Sequence, residues 1–261
     1  MKVNPELISS YLELPSDKKL YFASDFHLGI PGKTESDLRE QKIIHWLQHV
    51  SKDAAAIFLV GDLFDFWFEY KTVIPRGYIR FQGKLAELVD RGIPVHVFLG
   101  NHDLWLKEYL EEEIGVKIHK DLVKLNVNDK SFLIGHGDGL GPGDLSFKIK
   151  KSIFVNPFFQ WLFRWIHPDI GVRFAKYLST RSRSKGYDEP FESKEKEALW
   201  QFASEINQKS AYDYYVFGDR HLPLQIQVDD TSTYFNLGEW ISQCNYLEFD
   251  GSDATLKTFE G

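Results

Sequence analysis

The sequence predicts a layered α/β fold. Three observations carry that expectation: short apolar runs rich in β-branched and aromatic residues, helix-period segments between the early runs, and a glycine or polar turn residue closing each run. The runs lie at residues 20–23, 56–60, 95–99, 132–134, 214–217 and 234–237. Segments 37–50 and 78–90 space their apolar residues three and four apart, as a helix with one buried face does. The first half therefore alternates strand and helix. The later runs crowd together, which points to a mixed sheet or two packed sheets.

Residues 139–187 differ in kind. They hold almost no strand pattern and are dense in large apolar rings, among them Phe147, Phe154, Phe158, Phe159, Trp161, Phe163, Trp165 and Phe174. We read a single domain spanning 1–261 with a helical cap insertion at about 139–187.

Composition narrows the class. A chain of 261 residues with 43% hydrophobic content can bury a full core. The single cysteine, Cys244, cannot form an internal disulfide, so a cytoplasmic location is expected. Residues 1–19 mix acids with lysines, unlike a signal peptide. The most apolar stretch, 153–166, is short and broken by Asn156, Pro157, Gln160 and Arg164, so no membrane span is expected. A net charge of -7 argues against a general nucleic-acid binder. Between residues 147 and 186, however, nine cations face Asp169 alone, a net of about +8. That stretch anticipates an anionic partner and, with its aromatic rings, peripheral contact with the inner face of the cytoplasmic membrane.

The chemistry lies where histidines and carboxylates follow the runs. Asp25 and His27 follow the first in Ser24-Asp-Phe-His-Leu-Gly29, and Asp62 follows the second in Gly61-Asp-Leu-Phe-Asp65. Asn101, His102 and Asp103 follow the third, His136 the fourth in Gly135-His-Gly-Asp138, and Asp219 and His221 the fifth in Gly218-Asp-Arg-His221. Open α/β sheets bind ligands at the carboxyl ends of their strands, and a preceding glycine permits the sharp turn that aims a side chain there. Carboxylate and amide oxygens with imidazoles suit Mn, Fe, Zn or Mg rather than thiolate-seeking metals. Seven candidate donors make two metals more plausible than one. Each motif alone is more often a surface turn or a hydrogen-bonded core histidine than a ligand, and that plainer reading is kept for His45, His49, His96, His119 and His167.

In order and spacing, Asp-x-His, Gly-Asp-x-x-Asp, Gly-Asn-His-Asp, Gly-His-Gly-Asp and Gly-x-x-His resemble the calcineurin-like metallophosphoesterase superfamily across most of the chain. The resemblance implies a four-layer α/β/β/α sandwich with a dinuclear centre. Carried over position by position, Asp25, His27 and His221 would hold one metal, Asp62 would bridge, and Asn101, His136 and Asp219 would hold the other. Asp219 departs from the pattern, which usually has histidine there. An aspartate still suits a hard divalent ion, with altered preference. Two ions, most plausibly Mn²⁺ with Mg²⁺, Zn²⁺ or Fe²⁺ also compatible, would activate a hydroxide for in-line attack on phosphorus. His102 would serve the leaving group and Asp103 would orient it.

Within the superfamily the likeness is greatest to the UDP-2,3-diacylglucosamine pyrophosphatases of lipid A biosynthesis. It rests on Gly61-Asp-Leu-Phe-Asp-Phe-Trp67, the insertion after His136, and Leu237-Gly-Glu-Trp240. By that likeness the reaction releases UMP and a diacylglucosamine 1-phosphate, and Arg181, Ser184 and Lys185 would contact substrate. His102 stands where that branch commonly carries arginine. Two alternatives stay open at this point: a phosphoesterase acting on a soluble nucleotide or another phospholipid, and a scaffold protein of the same fold without catalysis.

Overall fold

The apolar runs form the central strands of two stacked six-stranded sheets in the computed structural model, which describes residues 10–143, 151–174 and 190–261. One sheet holds β2 (Lys19–Ala23), β3 (Ala54–Val60), β4 (Val95–Phe98), β5 (Lys117–His119), β11 (Asn245–Phe249) and β12 (Ala254–Thr258) in the order β12-β11-β2-β3-β4-β5. The other holds β1 (Ser10–Leu12), β6 (Val123–Val127), β7 (Lys130–Ile134), β8 (Tyr214–Phe217), β9 (Pro223–Gln227) and β10 (Thr233–Leu237) in the order β1-β6-β7-β8-β10-β9. Strands β2 to β5 run parallel, as do β7, β8 and β10, so within each sheet the strands that carry the motifs end on one edge.

Alternate residues of the central strands face two different cores, which is why their sequences read as continuous apolar runs. In β2, Tyr21 and Ala23 face Ile43, Trp46 and Leu47 of α1 (Lys33–Val50) and Phe81 and Leu85 of α2 (Ile79–Asp90). Leu20 and Phe22 face the second sheet, where Phe22 stacks on Phe58 and Phe132 with ring centroids 4.7 and 5.8 Å apart. The far side of that sheet is covered by Leu199, Phe202 and Ala203 of a later helix, Ala198–Asn207, against Tyr215, Phe217 and Tyr234. Full burial of such side chains contributes about 1.5–3 kcal/mol each. The layers are helix, sheet, sheet, helix, as the resemblance implied.

Helix α1 begins four residues before the periodic segment, because its first turn is polar and its one buried residue, Ser36, is not apolar. Between β7 and the helix Ala198–Asn207, numbered α4, lies α3 (Pro157–Arg164), capped by the Asn156 side chain accepting from the Phe158 amide at 2.9 Å. Phe158, Trp161 and Trp165 on and after α3 are 60, 52 and 74% exposed. No helix among the described residues is long and apolar enough to cross a membrane. Arg181, Ser184 and Lys185 lie outside the described residues.

Candidate metal centre

The five motif-bearing strands deliver their polar residues to one edge of the sandwich. Asp25, His27, Asp62, Asp219 and His221 all have positive φ, at 58, 43, 53, 66 and 57°. Such backbone is costly for residues with a Cβ and persists only where the surroundings dictate it. Here the loop amides do so: Asp25 donates to the Gly61 carbonyl at 3.0 Å, and His27 to the Asp62 carbonyl at 2.9 Å. The two glycines that precede Asp62 and Asn101 are there for close approach. A Cβ on Gly61 would overlap the His136 ring, and one on Gly100 the Asp62 carboxylate.

Asp25, His27, Asp62 and His221 bring one donor atom each to within 4.8 Å of one another. His27 Nε2 lies 2.9 Å from His221 Nε2, 3.6 Å from Asp25 Oδ1 and 3.7 Å from Asp62 Oδ2. His136 enters from the second sheet. Its Nδ1 donates to the Val60 carbonyl at 2.8 Å, which turns Nε2 into the site, 3.4 Å from Asp62 Oδ2 and 3.7 Å from Asp219 Oδ1. Asp62 Oδ2 thus faces His27 on one side and His136 on the other, the placement a bridging carboxylate needs. Asp219 is not drawn into the four-residue group.

Two further observations fit a cation. Asn101 Oδ1 and His136 Nε2 are buried without a hydrogen-bond partner, a condition that native proteins seldom leave uncompensated. The carboxylates also crowd one another. Burial opposes the charge of Asp25, yet hydrogen bonding to His221 and His27 holds it well below the usual range. Burial likewise opposes ionised Asp62, but His136 and His102 outweigh it. Asp103 is pushed up to about 7 by burial and then by Asp62. Asp219 is pushed upward by burial, although about a third of its side chain stays accessible, and then by Asp138, Asp62 and Asp25. Burial lowers His27 to about 4, whereas Asp62 and Asp25 raise His136 against its burial. Asp103 and Asp219, driven toward their protonated forms beside the ionised Asp25 and Asp62, mark a site short of positive charge.

Asp103 makes contacts other than the one anticipated for it. Asp103 is fully buried and spends both oxygens on backbone, accepting from Gly100 at 2.7 Å and Leu63 at 2.8 Å. It ties the β3 and β4 loops together rather than orienting His102. That orientation comes from Asp65, whose carbonyl lies 2.9 Å from His102 Nδ1 and whose carboxylate lies 3.4 Å away. Asp65, with His27 and His102, forms a second convergent cluster. It stood in the Gly-Asp-x-x-Asp motif without an assigned part, and the motif spacing was the signal that could have found it.

A helix-sheet-sheet-helix sandwich that aims histidine, aspartate and asparagine from five strand ends into one edge has the architecture of a metallophosphoesterase. The calcineurin-like phosphoesterase family matches residues 18–225, and the chain belongs to that family. It is accordingly a metal-dependent hydrolase of phosphorus compounds. A UDP-2,3-diacylglucosamine hydrolase from Porphyromonas gingivalis is 35% identical over 256 residues, covering 93% of this chain and 98% of its own. One from Actinobacillus succinogenes is 25% identical over 247 residues, covering 92 and 99%. Among solved structures, the E. coli phosphoesterase YfcE is similar with a TM-score of 0.44 and 16% identity, over 93% of this chain and all of its own.

Proposed function

We propose that this protein hydrolyses the pyrophosphate of UDP-2,3-diacylglucosamine to UMP and a diacylglucosamine 1-phosphate. The observation that carries the proposal is a cavity of about 770 Å³ opening beside His136, walled by Leu104, Leu106, Leu122, Val155 and Phe202. Lys107, Lys120 and Lys151 stand at the same cavity. An apolar chamber edged with cations next to a phosphate-cleaving site suits an amphiphile with a charged head; a soluble nucleotide has no use for it. The relatives of that name align over nearly their whole length, which supports the same reading.

Asp25, His27 and His221 are proposed to hold one divalent ion, Asn101, His136 and Asp219 the other, and Asp62 to bridge, with Mn²⁺ the ion we favour. Ions so held would lower the pKa of a water and offset the charge on the phosphorus oxygens. His102, fixed through Nδ1 on the Asp65 carbonyl, presents its opposite nitrogen for the departing oxygen. Arg181, Ser184 and Lys185 are proposed to grip the substrate from the cap, which we take as residues 139–187. The exposed rings of Phe158, Trp161 and Trp165, with Arg164 and Arg173 nearby in the chain, suit peripheral contact with an anionic lipid surface.

The test is product analysis with Mn²⁺ and UDP-2,3-diacylglucosamine, presented in detergent micelles and in anionic vesicles, with an Asp62→Ala control. UMP is expected from the wild type and not from the variant, at least as fast from vesicles as from micelles. Absence of UMP, with a simple aryl phosphodiester still cleaved, would discard the lipid substrate and keep the hydrolase. Slower turnover on vesicles would discard the membrane contact.

A further inference from the structure

Arg39 lies in the middle of α1 with its side chain turned inward and only 6% exposed. Its Nη1 donates to the carbonyls of Phe26 at 3.1 Å and His27 at 2.7 Å, and its Nη2 to the carbonyl of Ile30 at 2.9 Å. Among the described residues it forms no ion pair; Glu239 and Glu35 act on it only through space. A guanidinium taken out of water without a carboxylate partner is expensive, so what it holds should matter. All three acceptors belong to the single loop that carries Asp25 and His27.

The choice of carbonyls is specific. The Phe26 carbonyl belongs to the peptide plane that precedes His27, and the His27 carbonyl to the plane that follows it. One planar guanidinium therefore fixes both planes flanking a residue whose φ is 43°. The amides on the opposite side are held by the loop after β3: His27 donates to the Asp62 carbonyl and Leu28 to the Leu63 carbonyl, at 2.9 and 3.0 Å. The loop is clamped between the helix layer and the neighbouring strand end. Rotation of either plane would swing the imidazole away from Asp62 and His221.

We infer that Arg39 is a positioning residue of the metal centre: it holds the His27 loop in the strained conformation that directs His27 Nε2 at the ion. The inference rests on the proposed reading of His27 as a ligand. Arg39 touches neither substrate nor ion. Its effect should therefore appear in ion affinity, and excess ion should restore turnover.

The experiment is calorimetric titration of Mn²⁺ into the chelator-stripped full chain, with the visible spectrum of the Co²⁺-loaded protein as a second readout. Arg39→Lys keeps the charge but offers a point donor that cannot span three carbonyls, and Arg39→Gln is the second variant should the lysine fail to fold. Supporting groups behind a ligand typically govern affinity by 10–100-fold, so a loss of about that size is expected, with an altered Co²⁺ spectrum and turnover regained at high Mn²⁺. Leu85→Ala, in the same core cluster on α2, should lower the melting temperature and leave Mn²⁺ affinity within about twofold. Equal affinity in the wild type and His27→Ala would overturn the reading of His27 as a ligand, and the inference with it. A normal His27 dependence together with wild-type affinity in the Arg39 variants, or an equal loss in Leu85→Ala, would overturn the inference alone.

Discussion

Asp219 stands where the Gly-His-x-His pattern would place an imidazole, and the exchange changes the donor chemistry of the His136 side of the site. With Asp62, Asn101 and Asp219 offering oxygen and His136 alone offering nitrogen, that position should favour harder ions than one with two imidazoles. In competitive titrations Asp219→His should therefore gain affinity for Zn²⁺ relative to Mn²⁺, by roughly tenfold or more. An unchanged ratio would show that Asp219 does not ligate. The four residues that converge, Asp25, His27, Asp62 and His221, were legible in the sequence because each is a polar residue shortly after the end of an apolar run. Arg39 and the bonds of Asp103 were not. Their partners are backbone atoms from loops brought together only by folding, and a carbonyl leaves no mark in a sequence.

The elements divide in the same physical way. Central strands face two cores and were readable as unbroken apolar runs. The sheet edges β1, β5, β9 and β12 were not, since β5, β9 and β12 are largely accessible and short or polar. Two interior strands also escaped: β6 follows the alternating pattern of Val123, Leu125 and Val127 with Lys124 and Asn126 turned outward, and β11 keeps Glu248. The β4–β5 edge holds a pair that has a measurable consequence. His96 Nδ1 lies 2.8 Å from His119 Nε2 and the His96 ring stacks on Phe58. Burial, then His119 and Lys117, holds His96 down to about 3, and burial with Lys117 holds His119 to about 4. Unfolded, each takes its proton near 6.5. Between those values the unfolded chain binds more protons than the folded one, so stability present above pH 6.5 drains away as pH falls toward 4. Urea unfolding of metal-free protein at pH 7 and pH 5 should show a loss smaller by about 1–2 kcal/mol in His96→Leu than in the wild type. The same loss in both would mean that His96 is protonated in place.

At the scale of the whole molecule, the site joins the two sheets at an edge where the apolar core between them gives way to buried charge. Asp25, His27, Asp62 and Asn101 come from the sheet of β2, β3 and β4; His136, Asp219 and His221 come from that of β7 and β8. The sheets meet there through polar contacts that include His136 Nδ1 to the Val60 carbonyl at 2.8 Å, the Asp219 amide to Asp25 Oδ2 at 3.2 Å and His221 Nε2 to Asp25 Oδ1 at 3.1 Å. Asp219 is repelled across the same seam by Asp62 and Asp25. Cations bound between the sheets would remove that repulsion, and any ligand that binds only the folded state stabilises it by mass action. At an ion concentration of 100 times its dissociation constant the gain is about 2.7 kcal/mol, which for a domain of this size raises the melting temperature by roughly 5–10 °C. Mn²⁺ should produce that rise in the wild type and not in Asp62→Ala, and chelation should reverse it. Because the proposed donors come from both sheets, amide exchange should slow together in the loops at 24–29 and 218–222. Protection confined to one of those loops would mean that the ions sit on a single sheet, and Asp62 would lose its place as the bridge.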